Sequence, residues 1–207
     1  ADTDELFAEF RDGGPKPVMT GLVLNEKGLE RGLACGVKYV CLGVSASETH
    51  SRKNTGMGTA DAQRRIIGAA AVALAAGASV QVSVQSAFGC SYEGEVPEDR
   101  VLGMVQRYLE AGLTTISLAD TAGHATPDRV ERMFARVHEM DPGVETVCHF
   151  HDTYGLGLVN CAAALRAGVK GFEAAFAGLG GCPFTAVTGG NVCTEDLLHL
   201  LHRMGLR

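Results

Sequence analysis

Residues 101–120, Val-Leu-Gly-Met-Val-Gln-Arg-Tyr-Leu-Glu-Ala-Gly-Leu-Thr-Thr-Ile-Ser-Leu-Ala-Asp, carry one complete structural unit. Val101, Met104, Val105, Tyr108 and Leu109 fall at i, i+3, i+4, i+7 and i+8, which gathers apolar side chains on one face of an α-helix. Ala111-Gly112 follows, where a left-handed residue closes a helix. Thr115 to Leu118 is then a short apolar run, and it leads to a polar end at Asp120.

The unit recurs along the chain. Gly36, Gly77 and Gly168 each stand past a helix-like stretch and before an apolar run, and Gly143 is placed likewise after Asp141-Pro142. Val130, Met133, Phe134 and Val137 repeat the helical period behind Thr126-Pro127-Asp128, an N-cap, a first-turn proline and an acid at the positive end of the dipole. Strands are expected at Val18 to Leu24, Tyr39 to Val44, Val80 to Val84, Thr115 to Leu118, Val144 to Phe150 and Phe172 to Phe176. A further helix is expected over Asp4 to Phe10, where Leu6, Phe7 and Phe10 share a face. Apolar strands alternating with helices imply a parallel sheet covered by helices.

Both an open doubly wound sheet and a (β/α)8 barrel satisfy that alternation. No Gly-x-Gly-x-x-Gly follows the first strand, which removes the main support for a dinucleotide fold. Ser45, Ser47, Glu48, Ser86, Asp120, His149, His151 and the loop after Phe176 all fall at or beyond carboxyl ends of expected strands. Barrel enzymes build their sites on that face from several strands at once. The expected fold is therefore α/β, a TIM (β/α)8-type barrel, forming one domain over residues 1–207 and incomplete at six βα units.

Composition narrows the functional classes. The 207 residues suffice for one core, and 46% apolar with 20% charged residues is ordinary for a globular chain. A net charge of −6 without a dense Lys/Arg stretch argues against nucleic acid as a partner. No run approaches the roughly 18 apolar residues of a membrane span, and the acidic start lacks the positive region of a signal peptide. Seven cysteines, mostly in apolar runs, point to a reducing compartment and a cytoplasmic location.

His149-Phe150-His151-Asp152 is the sharpest local feature. Residues i and i+2 of a strand face the same side, so both imidazoles enter one space, either as ligands of a catalytic divalent metal or as a plain hydrogen-bonded pair. Gly178-Leu179-Gly180-Gly181-Cys182-Pro183-Phe184 puts a thiol in a glycine-rich loop, either to move a proton at carbon or simply as a cysteine in a turn. Asn191, in Gly189-Gly190-Asn191-Val192, offers an amide oxygen to a hard metal or is an ordinary turn residue. Asp120 faces the same mouth, as a carboxylate towards ligand or as a loop cap. Thr194 is expected to cap the last helix, and Ser51-Arg52-Lys53 to form a basic spot in a loop, either solvated surface or a contact for an anionic substrate.

Ser45-Ala46-Ser47-Glu48, Ser91-Tyr92-Glu93-Gly94, Ile116-Ser117-Leu118-Ala119-Asp120-Thr121, His149-Phe150-His151-Asp152-Thr153-Tyr154-Gly155 and, above all, Ala177-Gly178-Leu179-Gly180-Gly181-Cys182-Pro183-Phe184 followed by Gly190-Asn191-Val192 together resemble the hydroxymethylglutaryl-CoA lyase family of the DRE-TIM metallolyases. The resemblance implies retro-Claisen cleavage of 3-hydroxy-3-methylglutaryl-CoA to acetyl-CoA and acetoacetate. It implies His149, His151 and Asn191 as ligands of Mg2+ or Mn2+, and Cys182, His149 and Asp120 as catalytic residues. It further implies an acyl-CoA substrate, a homo-oligomer (dimer or tetramer) and a cytoplasmic or mitochondrial-matrix setting. A related metal-dependent aldolase or acyltransferase and a non-catalytic truncated homologue are the competing readings.

One part of the family pattern is missing. The family's first strand ends in Arg-Asp-Gly and its second carries a glutamate, and this chain is expected to begin after both. Arg11-Asp12-Gly13 has no apolar strand before it and is taken as a helix-to-strand connection. Two consequences are expected: unpaired sheet edges near Val18 and Phe176, and a weaker metal site lacking its carboxylate.

Overall fold

Each strand pairs with the next one in sequence. The computed structural model describes residues 3–11, 17–185 and 189–206. Its elements are α1 (Thr3–Arg11), β1 (Thr20–Leu22), α2 (Glu26–Ala34), β2 (Tyr39–Ser45), α3 (Glu48–Thr55), α4 (Thr59–Ala75), β3 (Ser79–Gln85), α5 (Glu98–Glu110), β4 (Thr115–Asp120), α6 (Pro127–Met140), β5 (Glu145–Phe150), α7 (Gly157–Arg166), β6 (Gly171–Glu173) and α8 (Thr194–Arg203), the last preceded by a 3-10 turn at Phe176–Gly178. The six strands run parallel in the order β1-β2-β3-β4-β5-β6. Arg11 ends α1, while Asp12 and Gly13 lie outside the described residues.

The sheet is curled, as one contact shows. The Gln81 side chain on β3 donates from Nε2 to Glu173 Oε1 on β6 at 2.6 Å. In a flat sheet three strand spacings would hold these strands about 14 Å apart. Only a sheet bent towards a barrel lets the side chains meet, and its concave face becomes a lumen. Among the described residues β1 and β6 have a strand neighbour on one side only, so the arc is open.

Those edges correct the expected strand lengths. Val18 to Leu24 shrinks to Thr20–Leu22, and Phe172 to Phe176 to Gly171–Glu173. An edge strand has ladder bonds on one side only, so fewer residues are held extended. The inner strands run further, β3 to Gln85 and β4 to Asp120.

Nor are the inner strands apolar throughout. In Ser79–Gln85, Val80, Val82 and Val84 are buried under the helices, while Gln81, Ser83 and Gln85 line the lumen. Helix packing follows the sequence period. Val130, Met133, Phe134 and Val137 of α6 are all fully buried, and each stabilises the fold by about 1.5–3 kcal/mol.

The glycines expected to close helices do so at Gly36, Gly77, Gly112 and Gly168, with φ of 84°, 79°, 75° and 89°. Gly143 is an exception to this pattern, absent from the left-handed glycines. There α6 ends on Asp141 in extended conformation, whose Oδ1 accepts the Gly143 N–H at 2.8 Å. Two further corrections concern helix starts. Ser51, Arg52 and Lys53 lie within α3 rather than in a loop, and Cys193 rather than Thr194 occupies the N-cap of α8. No helix among the described residues is long and apolar enough to cross a membrane.

Candidate active site

β5 delivers His149 and the bridge just past it delivers His151, so the strand's two-residue repeat aims both rings into the lumen. Their Nε2 atoms stand 3.2 Å apart. His151 is buried, and its Nδ1–H donates to the Thr121 carbonyl at 2.8 Å. That bond fixes the tautomer and leaves the Nε2 lone pair facing the cavity. Burial first, and the neighbouring His149 second, hold the His151 pKa below its ordinary value, so the ring is neutral near pH 7.

His149 is steadied from the adjacent strand. It stands opposite Glu173 in the β5–β6 register, and Nδ1 lies 2.9 Å from Glu173 Oε2. Burial alone would raise the Glu173 pKa, but His149 and the Gln81 amide outweigh it and hold the carboxyl below its usual range. Gln81 is thus hydrogen-bonded to Glu173, and Glu173 lies against the His149 ring within the lumen.

Asn191 arrives from another direction. Val192 N–H donates to the Phe150 carbonyl at 3.2 Å and Asp152 N–H to the Gly190 carbonyl at 2.8 Å, which ties residues 190–192 across the end of β5. Asn191 Nδ2 donates to the Leu179 carbonyl at 2.7 Å, while its Oδ1 is buried with no hydrogen-bond partner among the described residues. A buried amide oxygen left bare is costly unless something else fills its place.

The approach of these segments requires glycine. A Cβ at Gly190 would press onto the Gly178 carbonyl oxygen, which is backbone and cannot rotate away. Gly190→Ala should therefore cost about 1–3 kcal/mol in denaturant unfolding. Native stability would show that the loop can yield.

Cys182 occupies the loop after the 3-10 turn and is half-buried. Its Sγ lies 3.4 Å from His50 Nε2, from the first turn of α3. Burial raises the thiol pKa, opposed by a smaller contribution from the Phe184 N–H, so Cys182 is protonated at neutral pH. His149, His151, Asn191 and Cys182 all line one cavity of about 400 Å³ at the carboxyl ends of the strands.

The HMGL-like family model matches residues 3–207. This chain belongs to the HMGL-like family. It is 36% identical over 186 residues to hydroxymethylglutaryl-CoA lyase YngG of Bacillus subtilis (strain 168), covering 90% of this chain and 62% of that protein. It is 39% identical over 190 residues to the cytoplasmic 3-hydroxy-3-methylglutaryl-CoA lyase of Danio rerio, covering 92% and 56% respectively. The chain thus spans about three-fifths of the length of these curated relatives. An HMG-CoA lyase from Acinetobacter baumannii, solved in complex with coenzyme A and 3-methylmalate, superimposes with a TM-score of 0.91 at 35% identity, covering 100% of this chain and 67% of that one.

Within this HMGL-like barrel, sequence reasoning passed over three lumen residues. Gln81 belongs to an alternation visible in Ser-Val-Gln-Val-Ser-Val-Gln, Glu173 is a lone acid in an apolar run, and His50 gave no signal beyond its type. Asp120, by contrast, does not join the cavity lining. It is fully buried, with Oδ1 accepting the His124 N–H at 2.9 Å and Oδ2 the Ala125 N–H at 2.8 Å, the geometry of a loop cap. Ser51 is also structural, donating to the Met57 carbonyl at 2.9 Å, and Lys53 stacks over Tyr92 with Nζ 4.8 Å from the ring centre.

Proposed function

We propose that the protein is a divalent-metal-dependent carbon–carbon lyase that cleaves 3-hydroxy-3-methylglutaryl-CoA to acetyl-CoA and acetoacetate. The observation that carries this reading is the convergence of two imidazoles, a bare amide oxygen and a protonated thiol, from three chain segments, around one cavity. The HMG-CoA lyase relatives support the substrate class.

The donors fit a hard cation. Two neighbouring ligands at about 2.1 Å around an octahedral ion stand about 3 Å apart, close to the 3.2 Å between the His149 and His151 Nε2 atoms. Asn191 Oδ1 would supply the oxygen. Among the described residues no group of three or more His, Cys, Asp or Glu is placed to hold a metal ion, so the donors are the two imidazoles and the amide, with the Glu173 carboxylate beside His149. Mg2+ or Mn2+ held there would lower the pKa of the substrate's 3-hydroxyl.

The residues of this chain then divide the work. His151, neutral and tethered to the Thr121 carbonyl, keeps a fixed lone pair in the cavity. His149 is placed to receive the 3-hydroxyl proton, and the Glu173 carboxylate steadies the imidazolium that results. Cys182, carrying its proton at neutral pH, gives it to the thioester enolate left when the C–C bond breaks. The Gly178–Gly181 stretch lets the loop lie close to that carbon and exclude water.

His149 has one Nε2 lone pair for two tasks, ion binding and proton transfer. Calorimetric titration with Mn2+ separates them. His151→Ala and Asn191→Ala should each weaken binding by about tenfold or more. An equal loss in His149→Ala assigns that ring to the ion, and retained affinity assigns it to the proton. Incubation with 3-hydroxy-3-methylglutaryl-CoA and Mn2+ should release acetyl-CoA and acetoacetate in equal amounts. Absence of both products would reject the lyase reading.

A further inference from the structure

His50 lies 132 residues from Cys182 in sequence and 3.4 Å from it in space. The placement is built from the strand end outward. Ser45 Oγ, at the end of β2, accepts the Ser47 N–H at 3.1 Å. Ser47 caps α3, its Oγ accepting the His50 N–H at 3.1 Å. The cap sets the first turn, and the first turn sends the His50 ring into the cavity wall, 1% exposed.

The ring's hydrogen bonding is lopsided. Nδ1 is buried with no hydrogen-bond partner among the described residues, and Nε2 meets Cys182 Sγ. A neutral imidazole carries one N–H and one bare lone pair. An orphaned buried N–H is rarer in folded proteins than an under-used acceptor. The proton therefore belongs on Nε2, aimed at sulfur, with the bare lone pair on Nδ1.

We propose that His50 is a positioning residue for Cys182, donating its Nε2–H to Sγ and holding the negative charge that appears there when the thiol gives up its proton. The hydrogen bond stands by itself, whereas its use in turnover rests on the lyase reading above. In that step the Sγ–H bond breaks as a C–H bond forms at the enolate carbon. The enolate π pair makes the new bond, the thioester carbonyl re-forms, and the S–H electron pair stays on sulfur. The thiolate then regains a proton from water.

Both partners start neutral, since burial lowers the His50 pKa and raises that of Cys182. No charged side chain contributes to either shift. The other titratable groups lining the cavity are Cys41 from β2, His149 and His151 from β5 and its end, and Glu173 from β6.

Iodoacetamide alkylation of Cys182, followed peptide by peptide across pH in the unliganded protein, tests the bond without reference to turnover. His50→Phe should lower the rate at pH 8 by about tenfold, which corresponds to about 1.4 kcal/mol, and move the profile to higher pH. His50→Gln, whose amide N–H reaches the same place, should recover most of the loss. An unchanged profile in His50→Phe would overturn the proposal. If that variant does not fold, the native ring decides: nitrogen-15 shifts should show Nε2 protonated at neutral pH, and an Nδ1–H tautomer rejects the idea. A normal alkylation shift in a protein that never cleaves the thioester would retain the bond and dismiss only the lyase reading.

Discussion

Replacing Cys182 with alanine should lower turnover of 3-hydroxy-3-methylglutaryl-CoA by about a thousandfold and leave KM and melting temperature nearly unchanged. The size follows from the role. A positioned general acid contributes about 10²–10⁴-fold, and the other thiol lining the cavity, Cys41 on β2, has its pKa pushed up to about 11 by burial and yields its proton less readily. The split between kcat and KM follows because proton delivery matters only after the C–C bond has begun to break. Stability should hold because Cys182 is half-buried in a loop outside the hydrophobic core. Acetyl-CoA release by stopped assay, alongside a melting curve, measures both. A variant turning over at the native rate would remove Cys182 from the reaction.

Asp120→Ala should act in the opposite way, through the fold first. Its two oxygens satisfy the buried N–H groups of His124 and Ala125, and alanine leaves both donors bare. Each costs about 1–3 kcal/mol, so the variant should lose about 2–4 kcal/mol after allowing for removal of a buried carboxyl. The pH dependence carries a sign of its own. Burial raises the folded-state pKa of Asp120 despite the opposing Ala125 and His124 N–H groups. A carboxyl with a raised folded pKa favours the folded state most when protonated. That contribution is present below the unfolded pKa and fades as pH rises through the folded one. The stability difference between native protein and variant should therefore narrow as pH climbs from the acid side. Urea unfolding at several pH values reads it. Native stability with lost turnover would instead place Asp120 in the chemistry.

The sequence went furthest where its rules are local. Helix period at residues 101–109 and 130–137, glycine at 36, 77, 112 and 168, and apolar runs between them gave the alternation and the parallel sheet. The His-x-His pair was legible for the same reason, because a strand's two-residue repeat fixes which side chains share a face. It was weaker at the edges. Residues 18–24 and 172–176 look as strand-like as the inner runs, yet only Thr20–Leu22 of the first and Phe172 and Glu173 of the second lie in strands, because pairing depends on a neighbour the sequence does not name.

What the sequence determined by itself is therefore the set of elements, their order, and the strand ends on which His149, His151 and Asp120 sit. The tertiary structure alone decided which of them meet. Curling of the sheet brings Gln81 to Glu173 across three strands, the crossing of residues 190–192 brings Asn191 to the histidines, and the α3 cap turns His50 towards Cys182. It also turned Asp120 away into its own loop. The reason is physical: helix and strand periods are set by neighbours a few residues apart, whereas the curvature of a sheet and the satisfaction of buried polar atoms depend on every element packed around them.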